Sequence, residues 1–180
     1  MRPGVSRFHH TVPNDIKIQD IALAYVRKAV GERTERPFSC FGALHPSLVD
    51  QLLLVDGELV IVSALFSTES WYAFTTRRIV SKFQGVVYSL DPSHGIEIDF
   101  PNFKGYDPND DSERPEPGVV VRDVATITAK DSGAVVRFEY LTWQGFALPM
   151  YAAMYWDRKH TVLDKLTTTA EHEKYRNQNG

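Results

Sequence analysis

Trp71-Tyr72-Ala73-Phe74-Thr75-Thr76-Arg77-Arg78-Ile79-Val80 decides how the rest of the chain is read. Aromatic residues and a threonine favour a pleated, half-buried surface, so Trp71 to Thr75 read as a strand. Thr76-Arg77-Arg78 is a polar turn, and Ile79 to Leu90 resumes an extended pattern that breaks near Gln84-Gly85 into two short strands. Upstream, Asp56-Gly57 is a turn signal and Glu58 to Phe66 a β-branched run of strand length, separated from Trp71 by a polar break over Ser67 to Ser70. Downstream, Asp91-Pro92-Ser93-His94-Gly95 makes a turn before Ile96 to Phe100. Val119 to Thr128 and Ala134 to Thr142 flank Lys130-Asp131-Ser132-Gly133 as a hairpin. Short strands at short spacing imply an antiparallel meander.

Outside the strands the period changes. Residues 14–55 read as helical: Asn14 or Asp15 caps a helix whose apolar positions are Ile18, Ile21, Ala22, Tyr25, Val26 and Ala29, with Gly31 at its end. A polar connector runs from Glu32 to Pro37. Pro46 then opens a second helix with an apolar face of Leu48, Val49, Leu52 and Leu53. Neither helix can bury its face alone. Residues 146–156 fit either a last strand or a helix opened by Pro149, and the tail from Asp157 reads as helical with Asp157 as its cap.

The 180 residues are 43% hydrophobic and 24% charged, enough for a buried core and too apolar for a disordered polymer. The single cysteine, Cys40, excludes an intrachain disulfide and a multi-cysteine zinc site, and it points to a reducing, cytoplasmic setting. No apolar run approaches the roughly 18–20 residues of a membrane span. The net charge of −3 gives nucleic acid no overall attraction. Acidity is concentrated in one long loop: Asp99, Asp107, Asp110, Asp111, Glu113 and Glu116 face only Lys104 and Arg114, a net of −4 over 99–118. Loops of this length inside a domain commonly carry function.

The Trp71–Val80 segment, preceded by Gly57-Glu58, resembles the aromatic strand, threonine turn, basic residue and apolar strand of bacterial pleckstrin-homology-type domains. The resemblance spans about residues 57–175. It implies an α+β, PH-like curved antiparallel sheet or barrel of about seven strands, capped by a C-terminal helix and carrying an N-terminal helical extension. The expected organisation is a tail and helical extension over 1–44, the β domain with its helix over 45–175, and a frayed tail over 176–180. It further implies a binding scaffold more than an enzyme. The loop that holds basic residues in phosphoinositide-binding members is Ser67-Thr68-Glu69-Ser70 here, with an acid and no base.

Several residue clusters carry the atoms for chemistry without the full pattern it needs. Asp107-Pro108-Asn109-Asp110-Asp111-Ser112 resembles the opening of a calcium loop, but Ser112 stands where the turn needs glycine and Gly118 where the bidentate glutamate belongs. His160 with Asp164 offers two metal ligands without a third, and Glu171-His172-Glu173 spreads around a helix. His9-His10 sits in a polar tail. Cys40 with His45 has no orienting third group, so a buried structural cysteine is the expectation. Neither a hydrolase elbow nor a Gly-rich phosphate cradle occurs, so no catalytic residue, metal site or cofactor is assigned.

The expected function is a non-enzymatic, protein-binding module. In its sharpest form it is an immunity-type protein that neutralises a toxin, docking Asp107, Asp110, Asp111, Glu113 and Glu116 on a basic partner surface. The alternative is an anionic lipid or phosphate-headgroup reader using Arg77, Arg78 and Lys82. An enzyme whose site is assembled from residues distant in sequence is the third reading. Among Trp143, Phe146, Tyr151, Tyr155 and Trp156, a ring left exposed would serve as a binding anchor.

Overall fold

The computed structural model describes residues 14–31, 38–104, 121–143 and 145–160. The chain runs α1 (Asp15–Val30), β1 (Ser39–Phe41), a 3-10 turn (Pro46–Leu48), β2 (Val60–Ser67), β3 (Ser70–Thr75), β4 (Ile79–Phe83), β5 (Val86–Leu90), β6 (Ile96–Asp99), β7 (Arg122–Ala129), β8 (Val135–Leu141) and α2 (Ala147–Met154). A π-helical turn, Tyr155–His160, continues α2. The class is α+β, with every strand pairing antiparallel.

The strands form two sheets, ordered β1-β2-β3-β4-β5 and β6-β7-β8. Seven of the strands, β2 to β8, fall within the β stretch read from residues 57–175, and they are divided between the two sheets. β1 lies within the stretch 14–55 read as helical, and among the described residues no strand ladder joins one sheet to the other. Instead β8 crosses the first sheet through side chains. The Ser70 hydroxyl donates to the Glu139 carboxylate, and the Ser81 hydroxyl donates to the Arg137 carbonyl at 2.6 Å. Phe138 lies on Tyr72 with ring centres 4.8 Å apart. A carbonyl satisfied by a serine hydroxyl does not need a neighbouring strand.

α1 forms where expected. The Asn14 side chain accepts from the Lys17 amide at 3.1 Å, which leaves the neighbouring Asp15 free for another partner. Ala22 and Val26 are buried and Ile18, Ile21 and Tyr25 pack partly beneath them, but Ala29 is exposed. α2 settles residues 146–156 as helix, with Pro149 in the first turn where its missing N–H costs nothing. Asp157 therefore lies inside a continuing helical segment and is not its cap.

β3 is buried along its whole length because both of its faces are covered. Tyr72 and Phe74 point into the main core with Phe138, Ile61, Ala22, Val26, Leu148 and Tyr155. Trp71 and Ala73 point the other way, onto Val80, Leu48 and Leu52. The second cover is the segment expected to be a helix from Pro46, which makes only one 3-10 turn before the chain flattens. Bonds to the sheet win over helix propagation. His45 donates its amide to Ser63 Oγ at 2.8 Å, and Trp71 Nε1 donates to Gln51 Oε1 at 3.1 Å. Leu48 and Leu52 are buried as the pattern required, while Val49 and Leu53 point outward.

Candidate functional site

The five acids Asp107, Asp110, Asp111, Glu113 and Glu116 lie outside the described residues. The two stems from which their loop departs are well defined. On the incoming side, the Asn102 amide donates to Asp123 Oδ2 at 3.1 Å and meets the Tyr140 hydroxyl at 3.3 Å. Tyr140 in turn donates its hydroxyl to the same Asp123 oxygen at 3.1 Å. Burial, with the Asp123 charge and hydrogen bond beside it, pushes the Tyr140 phenol well above its ordinary range, so it remains a neutral donor. Phe100 meets Phe138 and Tyr140 edge to face, with ring centres 5.9 and 4.9 Å apart.

On the returning side, the Val121 amide donates to Thr142 Oγ1 at 3.1 Å and its carbonyl accepts from the Thr142 amide at 2.9 Å. The Trp143 amide donates to the Phe103 carbonyl at 3.1 Å, which ties the two stems together. Both loop ends thus leave from one place at the β6–β7 end of the second sheet. Asp123 and Tyr140 were not singled out in the sequence. They sit opposite each other in the β7–β8 register, a pairing that spacing alone does not reveal.

The basic residues behave differently from one another. Arg77 and Arg78 occupy the β3–β4 turn, and each grips a carboxylate with a fork of N–H groups. Arg77 reaches Asp15 through Nε at 3.1 Å and Nη2 at 2.8 Å. Arg78 reaches Glu58 through Nε at 2.9 Å and Nη2 at 3.1 Å, and the Leu53 carbonyl at 2.7 Å. Thr76 donates to Asp15, and Thr75 donates to Glu58 at 2.6 Å. The Glu58 side chain is 0% exposed. Burial opposes ionisation of both acids, but the arginine and threonine hydrogen bonds and the arginine charges outweigh it, so both carboxyls are held below their ordinary values.

Lys82 lies at the opposite end of β4, about 13 Å along the strand from Arg78 at ~3.3 Å per residue. There its ammonium pairs with Glu69 at 2.9 Å and the Thr68 carbonyl at 3.0 Å. The structure therefore unites Arg77 with Arg78 and separates Lys82 from both. Two partly exposed arginines already neutralised by carboxylates have little field left for a phosphate. The acidic partners were visible only as a helix-start residue and a strand-start residue. Nothing local marks Asp15 or Glu58 as the counter-ion of an arginine at the β3–β4 turn.

Of the remaining candidates, His9, His10, the Asp107–Ser112 stretch, Asp164 and Glu171-His172-Glu173 lie outside the described residues. Cys40 is half-buried, and burial pushes its thiol pKa up, away from the thiolate a nucleophile needs. His45 Nδ1 accepts from the Ser47 amide at 3.3 Å. Among the described residues, no group of three or more His, Cys, Asp or Glu side chains is placed to hold a metal ion. No helix among them is long and apolar enough to cross a membrane. Tyr155 and Trp156 are buried, and Trp143, Phe146 and Tyr151 are half-buried, so none of the five is an exposed anchor. The large apolar side chains exposed among the described residues stand elsewhere: Ile16 on α1, Phe38 before β1, Val49, Leu53, Leu54 and Val55 in the segment after the 3-10 turn, and Val86 with Val87 on β5. No protein-family model, no curated protein and no solved structure matches the chain.

Proposed function

We propose that this chain is a non-enzymatic binding module that presents an acidic loop to a protein partner with a basic surface. The observation that carries the reading is the double anchoring of the loop stems, through Asn102, Asp123 and Tyr140 on one side and Val121, Thr142 and Trp143 on the other. The described residues on either side of the acidic segment are thus held in place by hydrogen bonds to β7 and to the end of β8. The six carboxylates of 99–118 then supply long-range steering toward a positive cleft. An immunity-type role, covering the cleft of a toxin that uses nucleotides or nucleic acid, is the form of the proposal that fits this charge.

Within the same proposal the scaffold is PH-like. Supporting it are two antiparallel sheets of five and three strands and a helix, α2, packed into the core after the last strand. The headgroup-reading alternative is weakened because Arg77, Arg78 and Lys82 each already pair with a carboxylate.

The test is affinity capture from lysate of the native organism at low and high salt, with the full chain and with an Asp107→Asn, Asp110→Asn, Asp111→Asn variant. One stoichiometric protein is expected at low salt, with association slowed about tenfold or more by raised salt or by the triple change. Capture indifferent to both salt and the three substitutions would defeat the acidic-loop reading. Co-sedimentation with anionic liposomes and no retained protein would favour the headgroup alternative.

A further inference from the structure

We propose that Phe38 is an aromatic anchor of the interface, stacking an arginine side chain of the basic partner. The assignment rests on the reading of the chain as a module for a protein with a basic surface. Phe38 stands just before β1, and its carbonyl accepts from the Leu65 amide at 2.9 Å, which fixes its backbone to β2. Its φ is 68°, in the left-handed region. Glycine adopts that conformation freely, whereas a bulky residue there is an outlier. The side chain is 49% exposed, so burial does not account for a ring at this position. Local conflicts of this kind, a strained backbone under an open apolar ring, gather at binding sites.

The neighbouring rings indicate what Phe38 takes. It meets Phe66 with ring centres 5.9 Å apart. Phe66 in turn holds the Arg122 guanidinium 5.3 Å from its centre, and Phe41 holds that of Arg27 at 5.5 Å. The β1–β2 edge thus already stacks two guanidinium groups on phenyl rings, drawn by the negative charge of the aromatic face. Phe38 is the exposed ring of the three, and among the described residues no cation stands over it.

The charges around Phe38 leave room for a further cation. Arg122 lies 3.9 Å from Glu139, and Lys82 pairs with Glu69 at 2.9 Å in the turn after β2. Residues 32–37 carry two acids and two bases. Two further positive charges, Arg27 and Lys28 in the last turn of α1, stand on the Phe41 side. That is about 10 Å along β1 from Phe38, roughly a Debye length at physiological salt. Against them stands the net −4 of residues 99–118, which ends four residues before Arg122. A partner drawn by that charge presents arginines and lysines, and a planar guanidinium stacks on a ring better than an ammonium does.

The test is fluorescence anisotropy of labelled octa-arginine and octa-lysine titrated with the full chain at low salt. Octa-arginine is expected to bind about two- to fivefold more tightly than octa-lysine. Phe38→Leu keeps the apolar bulk, and Phe38→Gly suits the left-handed backbone. Each is expected to erase the preference with an unchanged far-UV spectrum. The Asp107→Asn, Asp110→Asn, Asp111→Asn variant is expected to weaken both peptides alike and to leave the preference in place. A preference that survives both Phe38 variants would overturn the assignment and leave the acidic-loop reading standing. A preference lost with Phe38, while the three aspartate changes weaken neither peptide, would uphold the anchor and defeat the acidic-loop reading. Equal binding of the two peptides, or binding of neither, would overturn the anchor. So would a sedimentation mass that rises with concentration and stays monomeric in Phe38→Gly, since a second copy would then cover the ring.

Discussion

Glu58→Gln is the perturbation with the most calculable consequence. The Glu58 carboxylate is 0% exposed and accepts from four donors: Arg78 Nε and Nη2, the Thr75 hydroxyl and the Val55 amide. Replacing one partner of a buried ion pair costs about 3–5 kcal/mol when the other charge is stranded. Arg78 is 29% exposed and keeps its bond to the Leu53 carbonyl, so water offsets part of that loss. An amide also retains some of the accepting capacity, which brings the expected cost to about 2–3 kcal/mol. Glu58→Ala additionally strands the Val55 amide and Thr75 hydroxyl at about 1 kcal/mol or more each, for a total near 4 kcal/mol. Urea unfolding of Glu58→Gln, Arg78→Met and the double variant closes a cycle, provided the denaturant slope is unchanged. A coupling energy of about 1.5–3 kcal/mol is expected. A coupling below about 0.5 kcal/mol would show that the pair is a surface contact and that the β3–β4 turn is held by its threonines alone.

The pH dependence of stability follows from the same residues. Asp15 and Glu58 have folded pKa values below their ordinary 3.8 and 4.5, so their contribution is fully present above those values and drains away as pH falls through the lowered ones. Thermal melting should therefore hold steady from pH 7 toward 5 and fall steeply below about 4, with a shallower fall in Asp15→Asn, Glu58→Gln. Gly145→Ala should destabilise by about 1–3 kcal/mol in thermal unfolding, because overpacking forces the backbone to move. An added Cβ would stand 2.3 Å from Leu141 Cβ and 3.0 Å from the Leu141 carbonyl oxygen, and an unshifted melting temperature would contradict that crowding.

Strand content was legible because the period-two alternation and turn residues are local properties. Trp71–Thr75, the Gln84-Gly85 break and the Lys130–Gly133 hairpin all appear within a residue or two of where the pattern put them. β1 escaped because Ser39-Cys40-Phe41 is too short to display a period, and it is a strand only because β2 offers it an edge. The helix expected from Pro46 failed for a related reason. Its apolar spacing is real and two of its four residues are buried, but the segment lies flat on the sheet and is bonded to Ser63 and Trp71.

For the candidate sites, charge was readable and pairing was not. The acidic loop and the Arg77-Arg78 turn stand out by composition. Their meaning depends on partners up to 62 residues away, as in the bond from Arg77 to Asp15. Sequence alone determined the antiparallel strand grammar, a helix start at Asn14 or Asp15 and the place where negative charge accumulates, since each arises from neighbours along the chain. Tertiary structure alone decided the split into two sheets, the neutralisation of the basic turn and the bonding of Asn102 to Asp123 and of Val121 to Thr142 on either side of the acidic stretch. Those outcomes depend on which strands face each other across the core, and that is set by burial and hydrogen bonding between residues that spacing does not connect.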